Sequence, residues 1–512
     1  MAVQKERFGL YIFSLLAIVA FLTITIALLQ GGLVNYVKII ALVFPFGFMF
    51  LLNVRPIWHV LYFGLIASEA MVIPRYGLEK FTPLLMVLGA TSIAVVLDTL
   101  IHRSPYKVKL NTVDRWVLLL AVMILGRFIY DRPGFVGMGA SEGGFTTALT
   151  FCAPVWFYFV IRPVIGAAKL TRKQLKFIAV FSVITILWTF TFGQHYEGIY
   201  VGRRLTNSPA WLFCAVSLAL MATSPSLRLS RQYYYLWIMF FLFIGVFSGY
   251  RSRIFFFMAE ILMVSFFVGK IKKTCAILII GGVVGIGGML MSGNVPEAAN
   301  RVVSLFGGAA EAGDNLQMGG VYGWTDNFRL RLYQFAWEEI RQSPWVGHGF
   351  GLNVREALGI LSITTADTEI EMLALGGSYH NSVVSLAVKT GLPVALIFCV
   401  IGLVIPIRFI NQLRFAPPSD VKTWGIALLA FWAANLCMLL MNGGGREFFA
   451  QMIVTGLIAA VSTTKAQELA PKAKGTGDAE TQESLPVGRS FRGFAAAGNR
   501  VDTNGVGSKN FQ

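Results

Sequence analysis

Apolar residues in this chain run on for about 20 positions at a time, the length of helix needed to cross roughly 30 Å of hydrocarbon. Such runs recur almost from end to end, at 8–30, 33–53, 57–74, 81–101, 114–130, 145–161, 174–193, 209–223, 233–250, 252–269, 274–292, 382–407, 422–441 and 447–463. They predict an all-α polytopic membrane protein with about 14 transmembrane helices (range about 12–14). Two polar stretches interrupt the pattern. Residues 295–379 form one long insertion, and 464–512 are a Lys/Ala/Gly/Thr/Ser-rich tail without apolar periodicity, expected to be disordered. The chain is therefore expected to comprise N-terminal membrane helices over 1–294, a large loop over 295–379, three further membrane helices over 380–463 and the tail.

Composition agrees: 56% hydrophobic against 13% charged residues excludes an ordinary soluble domain. Lys and Arg fix the expected orientation, because cytoplasmic loops keep positive charge during insertion. With the N-terminus inside, the basic groups at Lys5/Arg7, Arg103 to Arg115, Arg162 to Lys176, Arg228/Arg231, Lys270 to Lys273 and Arg408 to Lys422 all face the cytoplasm. Both termini are then cytoplasmic and the 295–379 loop lies outside. The net charge of +17 reads as this topology signal, with no need for nucleic acid. The first apolar run has no small-residue cleavage site behind it and is expected to be a retained helix. All five cysteines (Cys152, Cys214, Cys275, Cys399, Cys437) fall in predicted spans, so neither a disulfide framework nor a zinc site is expected. No P-loop, paired-histidine or Asp-x-Asp signature is present.

The informative cations are those left on the outer face: Arg203, Arg204, Arg251, Arg253, the loop arginines and Arg446. Arg251 and Arg253 close the tight turn Ser248-Gly249-Tyr250-Arg251-Ser252-Arg253 between two apolar runs. A guanidinium fork can donate two parallel hydrogen bonds to a phosphate, so a cluster of such groups fits a diphosphate; a lone arginine more often snorkels to lipid headgroups. Glu260 lies two helical turns beyond Arg253 on the same face and is expected to be a buried counter-ion.

In the outer loop, Thr325-Asp326-Asn327 reads as a helix start. Leu332, Phe335, Ala336 and Ile340 then share helical spacing, predicting an amphipathic helix that lies on the membrane or caps a cavity. Arg329 sits near its first turn, where the helix dipole disfavours a cation, with Arg331 close behind. Pro344-Trp345-Val346-Gly347-His348-Gly349-Phe350-Gly351 follows as a Gly-rich turn, suited to close backbone packing more than to a phosphate cradle. His59, His102, His195 and His348 have no metal-ligand spacing. His380, in Tyr379-His380-Asn381, stands alone where the loop meets a new apolar helix.

Ser248 to Arg253, Arg329 to Gly351, and His380-Asn381 through Gly391-Leu392 together resemble the O-antigen ligase and polymerase superfamily, over roughly residues 230–410. That family pattern is a Ser-Arg turn, an outer-loop helix with Arg-x-x-x-aromatic before Pro-x-x-Gly-x-Gly, and a His-Asn opening the next helix. Here it reads Ser252-Arg253 (or Arg251), Arg329 to Tyr333, Pro344 to Gly349, and His380-Asn381.

The resemblance implies a membrane-embedded glycosyltransferase of the GT-C type in a bacterial inner membrane, with the large loop periplasmic. Its donor would be a glycan on undecaprenyl diphosphate, and it would use no metal or nucleotide cofactor. His380 would act as general base toward the acceptor hydroxyl. Arg253 or Arg251, with Arg329, would hold the diphosphate. Tyr379, Asn381, Arg446, Arg331, Arg203, Arg204 and Glu260 stand behind them. With no covalent nucleophile in view, direct displacement would invert the anomeric carbon. A growing glycan as acceptor gives a surface-polysaccharide polymerase, the favoured reading; a lipid A core gives a ligase, a protein hydroxyl an oligosaccharyltransferase. Membrane lipids and proteins of polysaccharide export and chain-length control are the further partners implied. A lipid-linked oligosaccharide flippase is the alternative of another class, set aside because the special residues lie on one face and no internal repeat is seen.

Overall fold

A computed structural model describes residues 112–131, 145–192, 208–223, 228–247, 251–292, 325–350, 379, 381–441 and 445–470, with Ser92. Among the described residues every element is helical and none is a strand. In chain order these are α1 (Thr112–Asp131), α2 (Phe145–Ala167), α3 (Arg172–Phe192), α4 (Ser208–Ala222), α5 (Arg228–Phe247), α6 (Arg251–Val268), α7 (Ile271–Ser292), α8 (Thr325–Gln342), α9 (Ser382–Thr390), α10 (Leu392–Phe415), α11 (Asp420–Met441), α12 (Gly445–Thr464) and α13 (Ala466–Leu469). The chain divides into Met1–Pro471, which holds every one of these helices, and Lys472–Gln512. Apart from Ser92, the four spans expected before residue 112, and most of the tail, lie outside the described residues.

Each apolar run expected from 114 onward contains a helix, and two helices, α10 and α11, are long and apolar enough to cross a membrane. On α10 the exposed Leu396, Val400, Leu403 and Ile407 are as apolar as the buried Val394, Phe398, Ile401 and Ile405. A helix apolar all round suits hydrocarbon on its outer face, and this associates the chain with a membrane.

Helix α11 runs through the middle of the bundle, packing on α3, α4, α6 and α12, with α2 pressed against α12. Small residues set the closest approaches. A Cβ on Gly456 of α12 would stand 3.3 Å from the Tyr158 backbone, and one on Gly425 of α11 would stand 2.6 Å from Leu413.

The helix ends sort into two groups. At one end Arg162 Nη2 pairs with Asp114 Oδ1 at 2.7 Å, Arg172 Nε with Asp420 Oδ1 at 3.2 Å, and Ser462 donates to Gln412. Thr223 and Thr423 share a hydrogen bond of 2.8 Å there. These are the ends that the Lys/Arg distribution assigns to the cytoplasm. At the opposite end, the C-termini of α1 and α11 meet the 325–350 segment and the start of α9.

Three expectations are corrected. The run 382–407 is not one helix: it breaks after Thr390 at Gly391, whose φ is 89°, and α10 starts afresh with Pro393 in its first turn. Arg162 is not a loop cation but a buried residue of α2, which continues to Ala167. The tail begins later than 464, since α13 forms and buries Leu469.

Candidate functional site

The amphipathic segment starts its helix at Thr325 as expected, and α8 buries Leu332, Ala336 and Ile340. That stripe packs on Tyr379, Ala387, Val388 and Ala395, so α8 covers α9 and the start of α10. Phe335, assigned to the same stripe, is instead exposed, being one position off the i, i+4, i+8 line.

The Gly-rich turn then grips the end of α9. Gly347 N–H donates to Ser343 O (3.0 Å), His348 N–H to Val388 O (2.7 Å), and Gly349 N–H to Lys389 O (2.9 Å). Phe350 N–H donates to Asp131 Oδ2 at 2.8 Å. Four successive amides, the donors a phosphate cradle would need, are thus already spent on protein acceptors, which excludes the cradle and establishes the packing turn.

Glycine is required at three of these contacts, Gly347, Gly349 and Gly391. Gly391 (φ 89°) lies under the Trp345 carbonyl and Gly349 (φ 88°) against the Asp131 carboxylate, and a Cβ at either would overlap its neighbour. In return, Leu392 N–H donates to Pro344 O at 2.8 Å. His348 is structural as well: its Nε2 faces Glu339 O at 2.8 Å and Glu339 Oε2 at 2.9 Å. Both partners are oxygens, so Nε2 is the protonated nitrogen.

Asn381 opens α9. Its Oδ1 accepts from Val383 N–H (3.0 Å) and Val384 N–H (3.2 Å), the N-cap arrangement, while its Nδ2 donates to Leu440 O at 3.2 Å. Tyr379 is buried, and its N–H donates to Ser385 Oγ at 3.2 Å. Burial pushes the Tyr379 phenol well above its ordinary pKa, and the Glu339 carboxylate adds to this, so it remains a neutral phenol.

Of the other expected site residues, Arg253 is half-buried in the first turn of α6. Arg251 begins that helix, Arg329 and Arg331 lie in the first half of α8, and Arg446 opens α12. The side chains of these four lie outside the described residues, as do Arg203, Arg204 and His380 entirely. Glu260 is fully buried in mid-α6, as expected; among the described residues it makes no ion pair, and its neighbour is the Cys214 thiol of α4.

Two residues of this region were not expected. Asp131 links α1 to the turn and pairs with Arg127 at 2.9 Å. A carboxylate in the last turn of a helix opposes the dipole, and that was the available signal. Lys389, on α9, is desolvated enough to bring its pKa down to about 8. Its signal was a lysine inside an otherwise apolar run. No group of His, Cys, Asp and Glu suited to a metal occurs among the described residues.

The sequence matches no protein-family model and no curated protein.

Proposed function

We propose that the chain is an integral membrane glycosyltransferase that transfers a glycan from a polyprenyl diphosphate at the outer membrane face, most simply onto a growing polysaccharide. One observation carries this reading: two motif-bearing segments far apart in sequence, α8 with its Gly-rich turn and the start of α9, fold into one unit at one end of the bundle. Residues 379 and 381 on either side of His380 belong to that unit, and so does the helix that carries Arg329. The turn spends its amides on protein, which leaves guanidinium groups as the diphosphate ligands in this reading.

In this mechanism His380 accepts the proton of the acceptor hydroxyl as its oxygen attacks the anomeric carbon. The bond to the diphosphate breaks, and its negative charge is taken up by Arg253 or Arg251 and Arg329. The test is purified protein with a lipid-diphosphate oligosaccharide and a glycan acceptor. New glycosidic bonds in wild type, absent with His380→Ala in a protein that still inserts, support the assignment, whereas normal transfer by that variant overturns it. Arg253→Ala or Arg329→Ala removes a charge-assisted contact and is expected to raise donor KM by about 10–100-fold.

A further inference from the structure

The tip of the Gly-rich turn is apolar and exposed. Trp345 is 75% exposed and Val346 56% exposed, in a segment whose backbone is tied down on both sides. Ser343 Oγ donates to Gly347 O at 2.9 Å, Gly347 N–H returns to Ser343 O, and Pro344 O accepts from Leu392 N–H. These ties do not let the tip fold inward to bury its side chains.

The position of the tip says what covers it. Pro344 and Trp345 abut Gly391 and Leu392, the first turn of α10. From Leu392 the exposed apolar line continues down one side of that helix through Leu396, Val400, Leu403 and Ile407. Trp345 and Val346 therefore cap the upper end of a surface that belongs to a helix long and apolar enough to cross a membrane. Tryptophan is the side chain suited to that boundary, with a large apolar ring and one N–H for the headgroup layer.

We propose that Trp345 and Val346 insert into the headgroup region of the bilayer and seat the turn, with α8 and α9 clasped to it, at a fixed depth on the membrane surface. The partner is phospholipid. This inference rests on the membrane reading of α10, and the experiment separates the two.

In full-length protein lacking its native cysteines and reconstituted in phosphatidylcholine/phosphatidylglycerol vesicles, nitroxides are placed by Val346→Cys and, separately, by Val400→Cys. Collision with oxygen is compared with collision with a water-soluble nickel chelate. The expected result is oxygen-dominated collision at both sites, weaker at 346 than at 400. A label at 346 that is nickel-accessible like a free aqueous residue, with 400 in lipid, overturns the anchor alone. An immobilised label at 346 shielded from both reagents places protein on the tip and also overturns it. Nickel access at 400 overturns the membrane reading and the anchor with it. Should cysteine removal prevent folding, quenching by phospholipid brominated near the headgroup serves in the native background: Trp345→Phe is expected to lose part of the quenchable emission, and unchanged quenching overturns the anchor.

Discussion

Asn381 Nδ2 donates to Leu440 O at 3.2 Å, while the same side chain caps α9 through its oxygen. One amide thereby ties the start of α9 to the C-terminal end of α11, the helix at the centre of the bundle. In the functional reading, the asparagine of the His-Asn pair holds the backbone beside position 380 and is a positioning residue. Asn381→Ala is expected to cost about 1 kcal/mol for the lost cap. Asn381→Ser retains a cap but not the link to Leu440. Thermal midpoints in detergent should fall in the order wild type, Ser, Ala; equal midpoints for wild type and Ala would mean that the cap does not hold α9.

The contact between Gly349 and Asp131 calls for a double-mutant cycle. Gly349→Ala sets a methyl against the Asp131 carboxylate at a positive φ, with an expected loss of about 1–3 kcal/mol. Asp131→Ala leaves Phe350 N–H and Arg127 without their acceptor and is also destabilising. Removing the carboxylate relieves the overlap, so the double variant should lose less than the sum of the single variants. Denaturant unfolding of the four proteins checks this, and strict additivity would contradict the contact.

Lys389 makes stability depend on pH in the alkaline range. Its pKa of about 8 when folded lies below the ordinary 10.5, so between these values the unfolded chain holds a proton that the folded chain has released. The penalty is constant below about pH 8, and stability then rises with pH toward 10.5, by at most about 1.4 kcal/mol per unit. Lys389→Met should be the more stable protein at pH 7.5, with a flatter profile between pH 8 and 10. Parallel unfolding curves for the two proteins would remove Lys389 from the account.

Much of the bundle was legible because an apolar run of span length can do little but form a helix, and Thr325 announced α8 through its cap-like sequence. The break at Gly391 was hidden by the unbroken apolar character of 382–407, although Gly391-Leu392-Pro393 carried the cue of a stop followed by a restart. The site was legible as segments: the Gly-rich turn and the His-Asn pair were identified separately. Their union was not, because it depends on which oxygens the four amides of 347–350 reach, and that is set by positive φ and by Asp131 from a helix about 220 residues earlier. Burial of Arg162 was likewise invisible, since a basic residue at a helix end has the same sequence signature in a loop as in a pair.

That pair gives the sharpest stability prediction. Asp114 lies in the first turn of α1, where the helix dipole favours a carboxylate, and it accepts from both Arg162 Nη2 (2.7 Å) and Tyr158 OH (2.9 Å). Both charges are buried, so truncating one removes the other's ion-pair partner. Arg162→Met is expected to cost about 3–5 kcal/mol and to lower yield in the membrane sharply. Asp114→Asn/Arg162→Met removes both charges and keeps the approximate volumes, and Tyr158 retains an amide oxygen to donate to. The double variant should therefore recover most of the loss. If it is no more stable than Arg162→Met alone, the arginine contributes through packing over the Tyr158 ring, whose centroid lies 5.1 Å from its guanidinium carbon, and not through the ion pair.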